Sequence, residues 1–233
     1  TTGNHNIGIG DSSLYKNTTG IYNAALGECS MRCNTTGGRN FAAGFNALRC
    51  NTTGSYNAAI GSEALCSSLS GDNNFAAGQN ALYSNWGGCD NTAIGNNALK
   101  CNTTGCYNQA IGPSALCANT TGKCNIAIGC KALVANTTAD GNIAIGHEAL
   151  FANTTGTANN GFGKYVLGYN TEGNNNTGMG QTAGMSNTDG DCNAFYGYGA
   201  GRFLADGSTT LTSPDNSTYI GACTRGAAVG DTN

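Results

Sequence analysis

The amino-acid sequence predicts an all-β fold, a parallel β-solenoid with a 17-residue repeat, and three observations carry that prediction. Asparagine recurs at 6, 23, 40, 57, 74, 91, 108, 125, 142, 159, 176 and 193, each time followed four positions later by glycine. A strict short period means one small unit that cannot bury its own apolar side chains and must stack on copies of itself. The apolar runs are only two or three residues long and are cut by glycine, which leaves no room for a helix but suits short strands and turns. Finally, 37 Gly in register, 2 Pro, 10% charged and 39% hydrophobic residues describe a folded repeat rather than a disordered polymer.

A well-formed unit is Asn51-Thr-Thr-Gly54-Ser-Tyr-Asn57-Ala-Ala-Ile-Gly61-Ser-Glu-Ala-Leu65. It divides into a turn, a first strand, a second turn and a second strand around Ala64-Leu65. In the first strand, the column after the repeating Asn and the column two further on trade volume. Phe41 accompanies Ala43 and Phe75 accompanies Ala77, whereas Ala24 accompanies Leu26 and Ala58 accompanies Ile60. We expect these two columns to share the coil interior. The column between them, nearly always Ala or Gly, then faces the other way. A column so restricted needs crowding, either from symmetry mates around a three-fold axis, which we expect, or from a second wall of the same coil. The second strand, with pairs such as Ala47-Leu48 and Ala98-Leu99, is expected to be two-faced as well.

At about 4.8 Å rise per coil, 12 or 13 coils make a rod roughly 60 Å tall, so residues 1–207 read as one solenoid region. Beyond Asn153 aromatics and glycines replace the Ala-Leu rungs, and the coil cross-section is expected to change. From Ser208 to Pro214 the repeat is lost, and Asn216–Gly221 reads as a returning strand. Residues 208–233 are therefore a distorted end or a transition to a further domain. The chain starts within a repeat, at Thr1-Thr2-Gly3, and stops at Asp231-Thr232-Asn233, and we read it as a piece of a longer protein.

The recurring Asn23, Asn40, Asn57, Asn74, Asn91, Asn108, Asn125 and Asn142 are expected to form a stacked amide ladder that satisfies turn backbone groups. Their partner glycines supply positive φ or close backbone approach. Asn17, Asn34, Asn51, Asn102, Asn119, Asn136, Asn153, Asn175 and Asn216 each open an Asn-x-Ser/Thr pattern. Two readings stand: a column of N-glycans along one edge, or a good turn whose duplication creates the pattern automatically. The paired Thr columns raise ice binding as a third function, but neighbours in a strand point to opposite faces, and the row breaks at Ser68-Leu-Ser and Asn85-Trp-Gly.

Several of the 12 cysteines lie one coil apart: Cys33, Cys50 and Cys66 in succession, Cys89 with Cys106, and Cys101 with Cys117. Stacked rungs bring such Cα atoms within disulfide range, so coil-to-coil staples are expected at least for the last two pairs, as suits an extracellular or virion-exposed rod. Buried thiols in small columns are the alternative. Metal binding is poorly supported, with no Cys-x-x-Cys pair and only His5 and His147, and no cofactor is expected. Glu28, Glu63 and Glu148 occupy variable positions where solvated side chains are expected, and the Gly-x-Gly strings lack the strand-loop-helix setting of a phosphate loop. A net charge of −3 with scattered basic residues gives no stripe for nucleic acid, and no run of about 18 apolar residues offers membrane insertion.

The units Asn91-Thr-Ala-Ile-Gly95-Asn-Asn-Ala-Leu99 and Asn142-Ile-Ala-Ile-Gly146-His-Glu-Ala-Leu150 resemble the head repeats of YadA-type trimeric autotransporter adhesins. They equally resemble repeats of phage and viral tail fibres that precede an intramolecular chaperone. The resemblance spans nearly the whole chain. It implies a left-handed parallel β-roll, usually a trimer, and an adhesive or structural fibre. With no convergent catalytic set in the sequence, we expect a non-catalytic segment that self-associates and has a cell-surface receptor or glycan as a further partner. The 17-residue coil, the Asn-Thr-Thr-Gly turn and the cysteines depart from the common adhesin head.

Overall fold

The structure, a computed structural model, describes residues 2–204 and 207–226. It is an all-β parallel solenoid in two compact units, Thr1–Thr121 and Gly122–Asn233. The first unit carries β1 (Ile7–Ile9), β2 (Ala24–Leu26), β3 (Phe41–Ala43), β4 (Ala58–Ile60), β5 (Phe75–Ala77), β6 (Thr92–Ile94) and β7 (Gln109–Ile111), paired parallel in chain order. The second carries β8 (Ile126–Ile128), β9 (Ile143–Ile145), β10 (Asn160–Phe162), β11 (Thr177–Met179), β12 (Ala194–Tyr196) and β13 (Thr218–Ile220), paired in the same way. Each strand is one three-residue rung per coil, and the described residues contain no helix.

The inside and outside of the sheet are opposite to the sequence expectation. In β2 to β12 the middle residue of the rung points into the coil, so Ala25, Ala42, Ala59, Ala76, Ala93, Ala110, Ala127 and Ala144 are fully buried. The larger flanking columns face outward: Ile60 is 42% exposed beside Ala59 at 0%. The volume-trading pairs thus share the outer face, not the interior. Crowding of the small column comes from the coil's own second wall. A Cβ added to Gly178 would lie 2.5 Å from Val166 Cγ2, and one added to Gly161 would lie 2.9 Å from Val166 Cγ1. The three-fold packing expected for Ala93 and Ala110 is therefore corrected, because these side chains never reach the surface.

The second wall is not a strand. A pleated strand sends neighbours to opposite faces, yet Ala64 and Leu65 are both fully buried, as are Ala47 with Leu48 and Ala98 with Leu99. The backbone alternates instead, with left-handed φ at Glu63 (60°) and Leu65 (51°), and the same alternation recurs at Asn46 and Leu48 and at Asn97 and Leu99. A left-handed non-glycine residue costs roughly 1–2 kcal/mol. With two such residues on each coil's turn wall the cost is about 2–4 kcal/mol, and full burial of one leucine, about 1.5–3 kcal/mol, offsets most of it, with the buried alanine beside it adding to the gain. Backbone groups remain satisfied laterally: Glu63 N–H donates to Phe45 O at 2.8 Å, Leu65 N–H to Ala81 O at 3.0 Å, and Cys50 N–H to Cys66 O at 2.9 Å. This wall is a hydrogen-bonded ladder of turns.

The glycine four residues after the repeating Asn connects the two walls. Gly44 has φ +140°, and a Cβ there would sit 2.5 Å from Gly61 O of the next coil. No other residue satisfies both the dihedral and the approach.

In the second unit the two walls exchange volume. Phe195 replaces alanine at the inward sheet position and is fully buried, stacked on Tyr219 at 5.2 Å between ring centroids. Opposite it, Gly184 and Gly201 stand where other coils carry leucine; a Cβ on Gly184 would lie 2.5 Å from the Phe195 ring. The last coil is longer: Ala194 pairs with Thr218, 24 residues on, and Thr188 N–H still donates to Thr212 O at 2.6 Å. Residues 227–233, within the stretch read as a distorted end, lie outside the described residues.

Candidate interaction surface

Two asparagine columns run up the coils. In the first, the carboxamide of each repeating Asn ties its own coil to its neighbours. Asn57 N–H donates to Asn40 Oδ1 at 2.9 Å, and Asn57 Nδ2 donates to Gly71 O at 2.7 Å. Asn23, Asn40, Asn74, Asn91, Asn108, Asn125 and Asn142 occupy the same position, and all are buried to 2% exposure or less. Comparable bonds run from Asn23 N–H to Asn6 Oδ1 and from Asn142 Nδ2 to Gly156 O. Such groups cost about 1–3 kcal/mol each if left unpaired, so the column is a structural requirement of the stack.

The second column contains most of the Asn-x-Ser/Thr residues. Asn34, Asn51, Asn102, Asn119, Asn136 and Asn153 are fully buried. Asn51 Nδ2 donates to Asn34 Oδ1 at 2.8 Å and to Gly54 O at 2.9 Å, which uses both of its protons. A glycan on that nitrogen has no place in the folded coil. Asn17 is half-buried and holds Gly20 O. Asn175 and Asn216 differ: both are exposed, at left-handed φ of 56° and 50°, on the outer corner of their coils.

The first threonine of the Asn-Thr-Thr turn is also engaged: Thr35 Oγ1 donates to Thr52 O at 2.8 Å, and Thr103 Oγ1 to Thr120 O at 2.9 Å. The second, with Thr36, Thr53 and Thr104, is exposed.

All twelve cysteines are free thiols in this structure. Cys89 and Cys106 belong to a third ladder, in which a side chain of the next coil accepts a corner amide. Ser55 N–H donates to Asp72 Oδ1 at 2.7 Å, Asp72 N–H to Cys89 Sγ at 3.4 Å, and Cys89 N–H to Cys106 Sγ at 3.2 Å. Each thiol in turn faces a carbonyl, Gly87 O for Cys89 and Thr104 O for Cys106. In this arrangement sulfur takes the role that Ser and Asp play in adjacent coils. Cys101 and Cys117 are joined by a backbone bond from Cys101 N–H to Cys117 O at 3.1 Å, and their side chains meet. Burial pushes the Cys117 thiol up, with the Cys101 thiol adding to the rise. Along the edge that holds Cys33 and Cys50, burial pushes Cys66 from 9.0 to about 11; Cys50 and Glu63 add to this and Arg49 opposes it. Such thiols carry little thiolate near neutral pH and are poor nucleophiles and poor metal ligands.

Acidic groups form no convergent set. Glu63 is half-buried on the turn wall and Glu28 is exposed, while Glu148 lies 3.8 Å from Lys131 and 4.0 Å from His147. Among the described residues no group of three or more His, Cys, Asp or Glu side chains could hold a metal ion, and no helix is long and apolar enough to cross a membrane.

The distinctive surface is the outer face of the sheet, which sequence reasoning assigned to the interior. In the first unit it presents Phe41, Ile60, Phe75 and Ile94 as exposed side chains; in the second, Ile145, Phe162, Met179, Tyr196 and Ile220. Nearby, on an outer corner, His5 stacks on Tyr22 at 4.8 Å, and the Arg39 guanidinium lies 5.8 Å from the Tyr22 ring and 5.2 Å from that of Tyr56. No known protein family, curated protein or solved structure matches the chain.

Proposed function

We propose that this chain is a non-catalytic fibre segment of a virion or phage, holding a receptor-binding region away from the particle, and that its copies associate through the outer sheet face. The observation that carries this reading is the apolar character of that face along successive rungs. A contiguous exposed apolar stripe on a repeat protein marks an interaction surface. Volume within several rungs supports a second copy of the chain as the occupant: Phe41 is paired with Ala43, Ala58 with Ile60 and Phe75 with Ala77. Rotation about an axis parallel to the coil stack brings the first column of one copy against the third column of the next, so large meets small on the same rung. Among such assemblies the homotrimer is preferred on the strength of the repeat resemblance.

Sedimentation tests the proposal. The wild-type chain is expected to run as an oligomer, and Ile60→Asp with Phe75→Asp is expected to give monomers with an unchanged far-ultraviolet circular dichroism spectrum. A monomeric wild-type chain would overturn it. The second reading, a cell-surface adhesin or a glycosylated extracellular filament, is favoured by the exposed acceptors Asn175 and Asn216. Glycopeptide mapping from a glycosylating host is expected to find sugar at these two and none at Asn34, Asn51 or Asn102. The same extracellular setting would allow Cys101 and Cys117 to join, which non-reducing peptide mapping of the secreted chain would detect.

A further inference from the structure

The buried asparagine column is interrupted once in its middle, at Ser68, which is fully buried between Asn51 and Asn85. In an unbroken stretch each carboxamide donates twice, as Asn102 does to Asn85 Oδ1 at 2.7 Å and to Gly105 O at 2.9 Å. Ser68 is too short for either bond. Three consequences converge on one point. Asn51 Oδ1 and Ser68 Oγ are both buried without a hydrogen-bond partner. Asn85 Nδ2 donates to Gly88 O at 2.7 Å, and its second proton lacks the carboxamide oxygen that every well-formed coil provides. Gly71 O accepts from Asn57 Nδ2 but not from its own column.

We propose that Ser68 creates a site for one internal water molecule, which takes the place of the missing carboxamide. The water donates to Asn51 Oδ1 and Gly71 O, as an asparagine Nδ2 would, and accepts from Asn85 Nδ2 and the Ser68 hydroxyl. That gives it four partners, within the two to four that a buried water requires. The side-chain volume lost from asparagine to serine is about the two heavy atoms of an amide group, which suits a single water and excludes larger ligands. Desolvation explains why something must bind: the column leaves Asn51 Oδ1 and Ser68 Oγ unpaired at this one interruption, and its only other unpaired buried oxygen among the described residues is Asn187 Oδ1, at the end where no further asparagine follows.

A high-resolution crystal structure of the wild-type chain is expected to show ordered density within hydrogen-bond distance of Asn51 Oδ1 and Asn85 Nδ2. In Ser68→Asn the density is expected to vanish, replaced by direct amide-amide bonds, with the melting temperature raised by about 2–4 °C. Ser68→Ala keeps three of the partners and is expected to keep the water. Direct contact between Asn51 and Asn85 in the wild type, or an empty apolar gap, would overturn the proposal. So would a Ser68→Asn crystal that retains the density. Should Ser68→Asn fail to fold, the wild-type and Ser68→Ala crystals still decide.

Discussion

The two walls of each coil bury similar residues by different backbone rules. On the sheet wall, extended geometry alternates, and a single alanine such as Ala59 points inward while Ala58 and Ile60 face out. On the turn wall, left-handed dihedrals at Glu63 and Leu65 let Ala64 and Leu65 enter the core together. A thin coil needs this asymmetry. One wall contributes area for lateral association and little core volume, while the other fills the core at the cost of backbone strain that lateral hydrogen bonds and burial offset.

The largest expected effect breaks the filling wall. Leu99→Ala removes a fully buried side chain and is expected to destabilise by about 2–5 kcal/mol in urea denaturation, with cavity formation limiting relaxation. Next is the sheet wall: Ala93→Leu or Ala110→Leu drives a large side chain into the opposing turns and should cost about 1–3 kcal/mol each. If either variant instead keeps its stability and only changes its oligomeric state, the inward assignment of this column is wrong. Substitution of the outward Ile94 by Ala is the control, with little expected change in unfolding of the isolated subunit.

Cys66 sharpens the comparison through pH. Its folded pKa is raised from 9.0 to about 11, so the folded state holds a proton that the unfolded state releases first. The sign follows from linkage: this contribution is fully present below pH 9 and is lost as pH rises toward about 11. Stability measured across that window should fall more steeply for the wild type than for Cys66→Ala. Alkylation of Cys66 at pH 7 should also be slower than that of the exposed Cys124. The smallest effect concerns strain. Glu63→Asn places a residue that tolerates left-handed φ where Asn46, Asn80 and Asn97 already serve, and should stabilise by about a few tenths of a kcal/mol in thermal melts.

Residue spacing alone determined the parallel stack, the repeat length and the absence of helix among the described residues, since a strict period with glycine every few residues leaves its apolar runs too short for a helix. It also located the recurring Asn23-to-Asn142 column, because a polar residue repeated without exception has to satisfy something in every coil. Only the tertiary structure decided which face of the rung is inside. Period two divides a strand into two faces without labelling them, and Phe41 beside Ala43 looks like core until the opposite wall is in place. The turn wall was equally hidden, because left-handed φ at leucine leaves no mark in the sequence beyond the adjacent pair Ala-Leu. The fate of the Asn-Thr-Thr residues and of Cys89 and Cys106 depended on which atoms the next coil brings within hydrogen-bond reach, and that is set by stacking, 17 residues away along the chain.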